Sequence, residues 1–243
     1  MNRDKFFEKR TWDIASYHDL LLDYLEKHGQ FGCRQWQYYS GFERGKERVM
    51  IVCGWFTEGA KYFCKISGKE ITFFDQIIGF EALKSFDIEK ELSKFDKETV
   101  KKVKLYNKAV WVDNDGVEFH DLGKGSSSTF KNKKSGEYKC SYKIETCDFV
   151  KFLNKFPKDK YQLYISMNIE GSEFCVLDKM LKIKVFENID VHEFYLDNHI
   201  NISGKEKELK KQVRENHKLL IKYFKRSRRR PASGCPEDFL YYN

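Results

Sequence analysis

From residue 31 onward the chain is a succession of short runs rich in aromatic and β-branched residues. Most of them close within a few positions on Gly, Asn, Asp or Ser. Such runs predict strands, and links of two to five residues predict hairpins, because parallel neighbours need a long crossover. The candidate strands are 31–39, 49–56, 61–67, 70–78, 103–112, 117–122, 137–145, 161–169, 173–177 and 181–186. Thr57-Glu58-Gly59-Ala60 turns the second run into the third. Ser67-Gly68-Lys69 leads on to the fourth, and Asp113-Asn114-Asp115-Gly116 returns 103–112 as 117–122. In 137–145, Tyr138, Cys140, Tyr142 and Ile144 alternate onto one face. The segment 191–202 fits more than one state.

Helical spacing is confined to four places. From Ser16 to His28, Tyr17, Leu20, Leu21, Tyr24 and Leu25 share a face, Ser16 and Asp19 make a capping-box-like start, and Gly29 supplies a stop. Residues 80–86 read as a helix that continues toward Phe95, and 148–156 as a short one ended by Pro157. In 205–225, Leu209, Val213, Leu220 and Phe224 recur at helical spacing among lysines, and Pro231 and Gly234 end regular structure. The expected fold is therefore α+β: a mainly antiparallel β-sandwich with peripheral helices, including an N-terminal helical arm and a basic C-terminal helix. Residues 1–30 form the arm and 31–243 a single domain, with no fixed-period repeat.

With 41% hydrophobic and 16% aromatic residues, the 243-residue chain has enough apolar surface for an aromatic core. Seven cysteines, without a C-x-x-C pair or zinc-finger spacing, suit a reduced interior. No apolar run approaches the ~18 residues of a membrane span, and no signal peptide is evident, so a cytoplasmic protein without a membrane partner is expected. The net charge of +8 comes from 45 basic residues interleaved with 37 acidic ones, a pattern of solvated surface as much as of phosphate binding.

No pattern of catalytic residues or metal ligands stands out, and no enzymatic activity is expected. Asp113, Asp115, Glu118, His120 and Asp121 are the densest polar cluster. Together they could hold a divalent cation for phosphodiester chemistry, but Asn-Asp-Gly is also ordinary turn chemistry. On a strand Glu118 and His120 share a face and Asp121 takes the other. Gly123-Lys124-Gly125-Ser126-Ser127-Ser128-Thr129 resembles a phosphate cradle, with Lys124, Ser126, Ser127 and Ser128 as donors, although it lacks the P-loop arrangement. The cluster Arg226, Arg228, Arg229 and Arg230 suits either nucleic-acid phosphates or carboxylates of a neighbouring chain.

Asn2-Arg3-Asp4 with the charged aromatic arm that follows resembles the N-terminal segment of cypovirus polyhedrins. The order from Phe56-Thr57-Glu58-Gly59 into Phe80-Glu81-Ala82-Leu83-Lys84-Ser85-Phe86 resembles that family's early hairpin, strand and helix. The similarity covers about the first third of the chain. It implies a β-sandwich with a projecting N-terminal helix, and homotrimers packed into a cubic lattice. Such occlusion bodies embed virus particles in the cytoplasm of an infected cell. It implies no required cofactor, but bound nucleoside triphosphates as lattice components. Arg3, Asp4, Phe6, Phe7, the four arginines of 226–230, Tyr241 and Tyr242 are then the assembly contacts.

Such a lattice should dissolve in alkali. At pH ~11 about 7 of the 35 lysines keep their charge while roughly 13 tyrosines and all 7 cysteines ionise, taking the net charge from +8 to roughly −40. The alternatives are a cytoplasmic nucleic-acid-binding protein that uses the basic C-terminal helix and Arg cluster, and a metal-dependent phosphoesterase centred on 113–121.

Overall fold

The computed structural model describes residues 45–55, 74–122, 127–131, 138–197, 202–224, 226–229 and 239–242; for the last two segments only the backbone is described. The expected N-terminal arm, the strands expected at 31–39 and 61–67, and Lys124, Ser126 and Arg230 lie outside them.

The runs that begin the sheet are β1 (Glu47–Cys53), β2 (Gln76–Phe80) and β3 (Val103–Tyr106). β1 pairs in parallel with β2, and β2 with β3. On its other side β1 pairs in parallel with β8 (Tyr161–Met167), which pairs in parallel with β9 (Val191–Leu196). The chain's last strands, β10 (Arg226–Arg229) and β11 (Phe239–Tyr242), close that edge, with β11 antiparallel to both β9 and β10. The seven-stranded order is β10-β11-β9-β8-β1-β2-β3. β1 and β9 are buried almost from end to end, the mark of strands covered on both faces.

This is a mixed α and β architecture, but its main sheet is mainly parallel, with β11 alone reversed among the described strands, rather than an antiparallel sandwich. The correction comes from what links the strands. Residues 173–177 and 181–186, expected as two strands, are helix α4 (Glu173–Lys182) and a 3-10 turn (Val185–Glu187). Phe174, Val176, Leu177 and Met180 lie on its buried side. A helix there is a crossover, so β8 and β9 run parallel. Helix α1 (Ile88–Leu92) and helix α2 (Lys97–Lys102) lie in the link between β2 and β3. Asp87 and Asp96 cap them, Asp96 by accepting from the Glu98 and Thr99 N–H groups. Residues 80–86, expected as helix, finish β2 and then turn.

The run 103–112 is likewise split. Asn107 leaves the sheet and donates from Nδ2 to the Glu81 and Leu83 carbonyls at 2.9 and 2.8 Å. Beyond it β4 (Ala109–Trp111) pairs in parallel with β7 (Thr146–Asp148), and β5 (Val117–Asp121) pairs antiparallel with β6 (Cys140–Ile144). The turn at 113–116 is as expected: Asp115 N–H donates to Asp113 Oδ1 at 3.0 Å, and Gly116 takes φ +82°. However, it joins strands of two different ladders.

One face of the main sheet packs on α3 (Phe149–Leu153), α4 and the end of α5 (Glu206–Leu220). Ile51, Leu163 and Phe194 meet Phe149, Leu177 and Leu220, all at most 1% exposed. Asp148 ties this layer together. It caps α3, and its 2%-exposed carboxylate takes two bonds of 2.9 Å from Lys179 Nζ, which also donates to the Val112 carbonyl. Burial alone would raise the Asp148 carboxyl, but the Lys179 and Lys151 bonds hold it below the usual carboxylate range. Its stabilisation is thus present above the ordinary carboxyl pKa and lost as pH falls through the lowered folded value. Asp148→Asn should cost about 2 kcal/mol at neutral pH, since bonds to a charged group are lost while the partly exposed Lys179 can turn to water. The gap to wild type in urea unfolding should begin to narrow near pH ~4 and close as pH falls through the lowered folded value.

Candidate functional site

Strand β1 leads to β2 and β3 on one side of the sheet, whereas β8 leads to β9 on the other. The crevice outside the carboxyl ends of β1 and β8 is therefore a topological switch point, where open doubly wound sheets hold their ligands. A small cleft of about 50 Å³ lies there. Gly54, Glu81, Leu83, Val110, Phe119, Ser127, Thr129 and Asn168 are among its lining residues.

Gly54, Glu81 and Asn168 are each positioned by the end of a strand. The Gly54 N–H donates to the Phe80 carbonyl at 3.0 Å, and the Cys53 carbonyl accepts from the Asn168 N–H at 3.0 Å, so β1 ends clamped between its two neighbours. Gly54 has φ +90°, and a Cβ there would lie 2.0 Å from the Asn168 carbonyl oxygen. Glu81, 7% exposed, follows β2 directly. Its Oε1 accepts from the Ala82 and Leu83 N–H groups at 2.8 and 3.0 Å, which fixes the carboxylate at the cleft wall. Asn168, 9% exposed, follows β8, and its Oδ1 is buried with no hydrogen-bond partner among the described residues. A buried amide oxygen costs free energy unless something donates to it. The loop beyond is held by fully buried Glu173, which accepts from the Ile169 N–H at 2.7 Å and from the Gly171 N–H.

The expected phosphate donors divide. Ser127 lines this cleft and Ser128, next in sequence, is fully buried, but their hydroxyls serve the fold. Ser127 Oγ donates to Asp121 Oδ1 at 2.9 Å and accepts from the Leu122 N–H, while Ser128 Oγ donates to the Glu170 carbonyl at 2.6 Å. Lys124 and Ser126 fall outside the described residues. In the acidic cluster, His120 Nδ1 pairs with Ser141 Oγ at 2.7 Å. Among the described residues no three His, Cys, Asp or Glu side chains are grouped to hold a metal ion. Arg226, Arg228 and Arg229 lie in β10, and Tyr241 and Tyr242 in β11; Arg3, Asp4, Phe6 and Phe7 lie outside the described residues. No helix among the described residues is long and apolar enough to cross a membrane.

Beside the cleft, Tyr142 OH accepts from the Lys84 N–H at 2.7 Å and donates to the Ala82 carbonyl at 3.3 Å, bracing the turn that carries Glu81. Burial pushes its phenol up to about 12. A raised phenol contributes stability that is whole below its ordinary pKa of about 10 and is lost as pH rises through the folded value. The difference in tyrosinate absorbance between wild type and Tyr142→Phe should show one step near pH 12. A step at the ordinary pKa would contradict the bracing. Cys53, fully buried at the end of β1, is no nucleophile, because burial pushes its thiol well up.

Gly54, Glu81, Asn168 and Glu173 were not among the residues the sequence marked. The signal of Gly54, Glu81 and Asn168 was positional, since each follows the carboxyl end of a buried apolar run, which marks a site only if the strands are parallel, whereas Glu173 opens a helix that the sequence read as a strand. Comparison with protein-family models, with curated proteins and with solved structures found no match.

Proposed function

We propose that the protein is an S-adenosylmethionine-dependent methyltransferase whose donor occupies the switch-point cleft. The observation that carries this reading is the convergence of Gly54, Glu81 and Asn168 at the carboxyl ends of β1, β2 and β8 in a sheet ordered β10-β11-β9-β8-β1-β2-β3. A carboxylate after the second strand is the ribose-holding element of nucleotide-binding doubly wound folds. A pyrophosphate-bearing dinucleotide is disfavoured, because the position after Gly54 holds fully buried Trp55, where the glycine-rich fingerprint needs open backbone. The single reversed strand β11, inserted between β9 and β10, is the form of this sheet on which methyltransferases are built. That part of the argument is fold-level analogy.

The cleft residues fit such a donor. Glu81, already oriented by two N–H groups, is placed to accept from ribose hydroxyls. Asn168 Oδ1 offers an acceptor that no described residue satisfies. Leu83, Val110 and Phe119 supply apolar wall for a base. Gly54 lets β1 and β8 close without a side chain between them. When bound, S-adenosylmethionine supplies an electrophilic methyl group on a sulfonium. No described residue favours the occlusion-protein expectation over this reading, since the resemblance implied a β-sandwich.

Calorimetric titration of the full chain with S-adenosylmethionine and S-adenosylhomocysteine tests the proposal. Dissociation constants on the order of 1–100 μM are expected, in the usual range for enzyme substrates. Binding of NAD in preference to either compound, or no heat from either at millimolar concentration, overturns it.

A further inference from the structure

The chain's positive charge is not spread over it. Residues 205–230 carry 12 Lys and Arg against 3 Glu, whereas the rest of the chain balances 33 basic against 34 acidic residues. The fold turns this segment into two adjoining elements, α5 and β10. On α5, Lys207, Lys211, Arg214 and Lys218 recur at i, i+4, i+7 and i+11, so they form one stripe. All four are exposed, while Leu209, Val213 and Leu220 face the core. The 15-residue helix is about 22 Å long, enough for several successive phosphates. Lys222 extends the stripe into the turn before β10.

Among the described residues β10 is an edge strand, and its one sheet partner there is the aromatic-rich β11. The register sets Arg226 opposite Tyr242, Ser227 opposite Tyr241 and Arg229 opposite Phe239. Directly opposed residues share a face, so cationic and aromatic positions are interleaved on both faces of this ribbon. Backbone cations combined with aromatic platforms are what sequence-tolerant binding of unpaired nucleic acid requires.

We propose that α5 and the β10–β11 ribbon form a binding surface for single-stranded nucleic acid. β10 runs in the same direction as β8, because β11 is antiparallel to both β10 and β9. The Arg229 end therefore lies at the same end of the sheet as the cleft. Three strand intervals separate β10 from β8, about 14 Å, a span of a few nucleotides. The binding itself does not depend on the methyltransferase reading.

The test is fluorescence anisotropy of the full chain with a labelled 20-nucleotide mixed-sequence single-stranded RNA and its duplex, from about 50 to 250 mM KCl. Three variants are compared: Arg226, Arg228, Arg229 and Arg230 all to Gln; Lys207, Lys211, Arg214 and Lys218 all to Gln; and, as a charge-matched control, exposed Lys90, Lys97, Lys104 and Lys139 all to Gln. The first two should weaken binding at least 10-fold at about 100 mM salt and flatten the log–log salt slope, by ~0.7 for each phosphate no longer neutralised. The control should change affinity less than about 3-fold. Circular dichroism shows whether each variant folds, and the helix variant, altered only at exposed positions, keeps the test open if the strand variant does not. Equal losses in the control, preference for the duplex, or no binding by wild type at the lowest salt would each overturn the proposal.

Discussion

Gly54→Ala should be among the most damaging single substitutions in the chain, costing about 3–5 kcal/mol in urea unfolding. Two effects add. Alanine at φ +90° pays the left-handed penalty of roughly 1–2 kcal/mol. Its Cβ would also meet the Asn168 carbonyl oxygen at 2.0 Å, and that oxygen is backbone, so β1 and β8 must move apart. Gly45 provides the control: it has the same φ of +90°, but nothing lies within 4 Å of a Cβ. Gly45→Ala should therefore cost only the conformational penalty. If the two alanine variants unfold at the same urea concentration, the close approach of the two strands at the switch point is not a constraint, and the cleft tolerates a wider gap. Because these strands are the centre of the sheet, the loss should appear as global destabilisation rather than as a local opening.

Glu81→Gln should separate ligand binding from stability. The glutamine side chain keeps an oxygen for the Ala82 and Leu83 N–H groups, so the turn should survive and the melting temperature should stay within a few degrees. A neutral amide accepts more weakly than a carboxylate, and bonds to charged groups contribute about 1.5–3 kcal/mol. Affinity for S-adenosylmethionine should accordingly fall about 10- to 100-fold, as measured by calorimetry. Unchanged affinity would reduce Glu81 to a clamp for the turn after β2 and remove the ribose-holding element from the proposed site. A large fall in melting temperature would show that the carboxylate's charge, not only its oxygen, holds that turn.

Much of the local structure was legible without the fold. Strands do form within the apolar runs 49–56 and 161–169 and the alternating segment 137–145, as Glu47–Cys53, Tyr161–Met167 and Cys140–Ile144, because β-branched and aromatic residues in short runs have few alternatives. The helices expected at 148–156 and 205–225 stand close to α3 and α5, since Leu209, Val213 and Leu220 leave only one apolar face. The Asn-Asp-Gly turn also formed, its geometry set by the need for positive φ at Gly116.

The direction of the strands was not legible, and the candidate site depended on it. Glu173–Leu177 is short, apolar and followed by more apolar residues, and periodicity alone cannot tell a buried helix from a buried strand over such a length. Read as strand, it makes a meander; as α4, with Glu173 holding the preceding loop through two N–H groups, it is a crossover. That assignment decides the direction of β9 beside β8, while the parallel pairing of β1 with β2 and with β8 decides whether their carboxyl ends meet. Only when they meet do Gly54, Glu81 and Asn168, separated by up to 114 positions in sequence, become neighbours in one cleft.

The residues read alone specify an inventory: an aromatic core, buried runs of strand length, a basic amphipathic C-terminal helix and the turn chemistry between them. These follow from side-chain shape and hydrophobic spacing within a few residues of each position. The pairing emerges only in the folded chain, because hydrogen bonding between strands is blind to sequence distance. The contest between hairpin and crossover is settled by which arrangement buries α3 and α4 on the sheet. The polar residues at the strand ends acquire a function only from that choice.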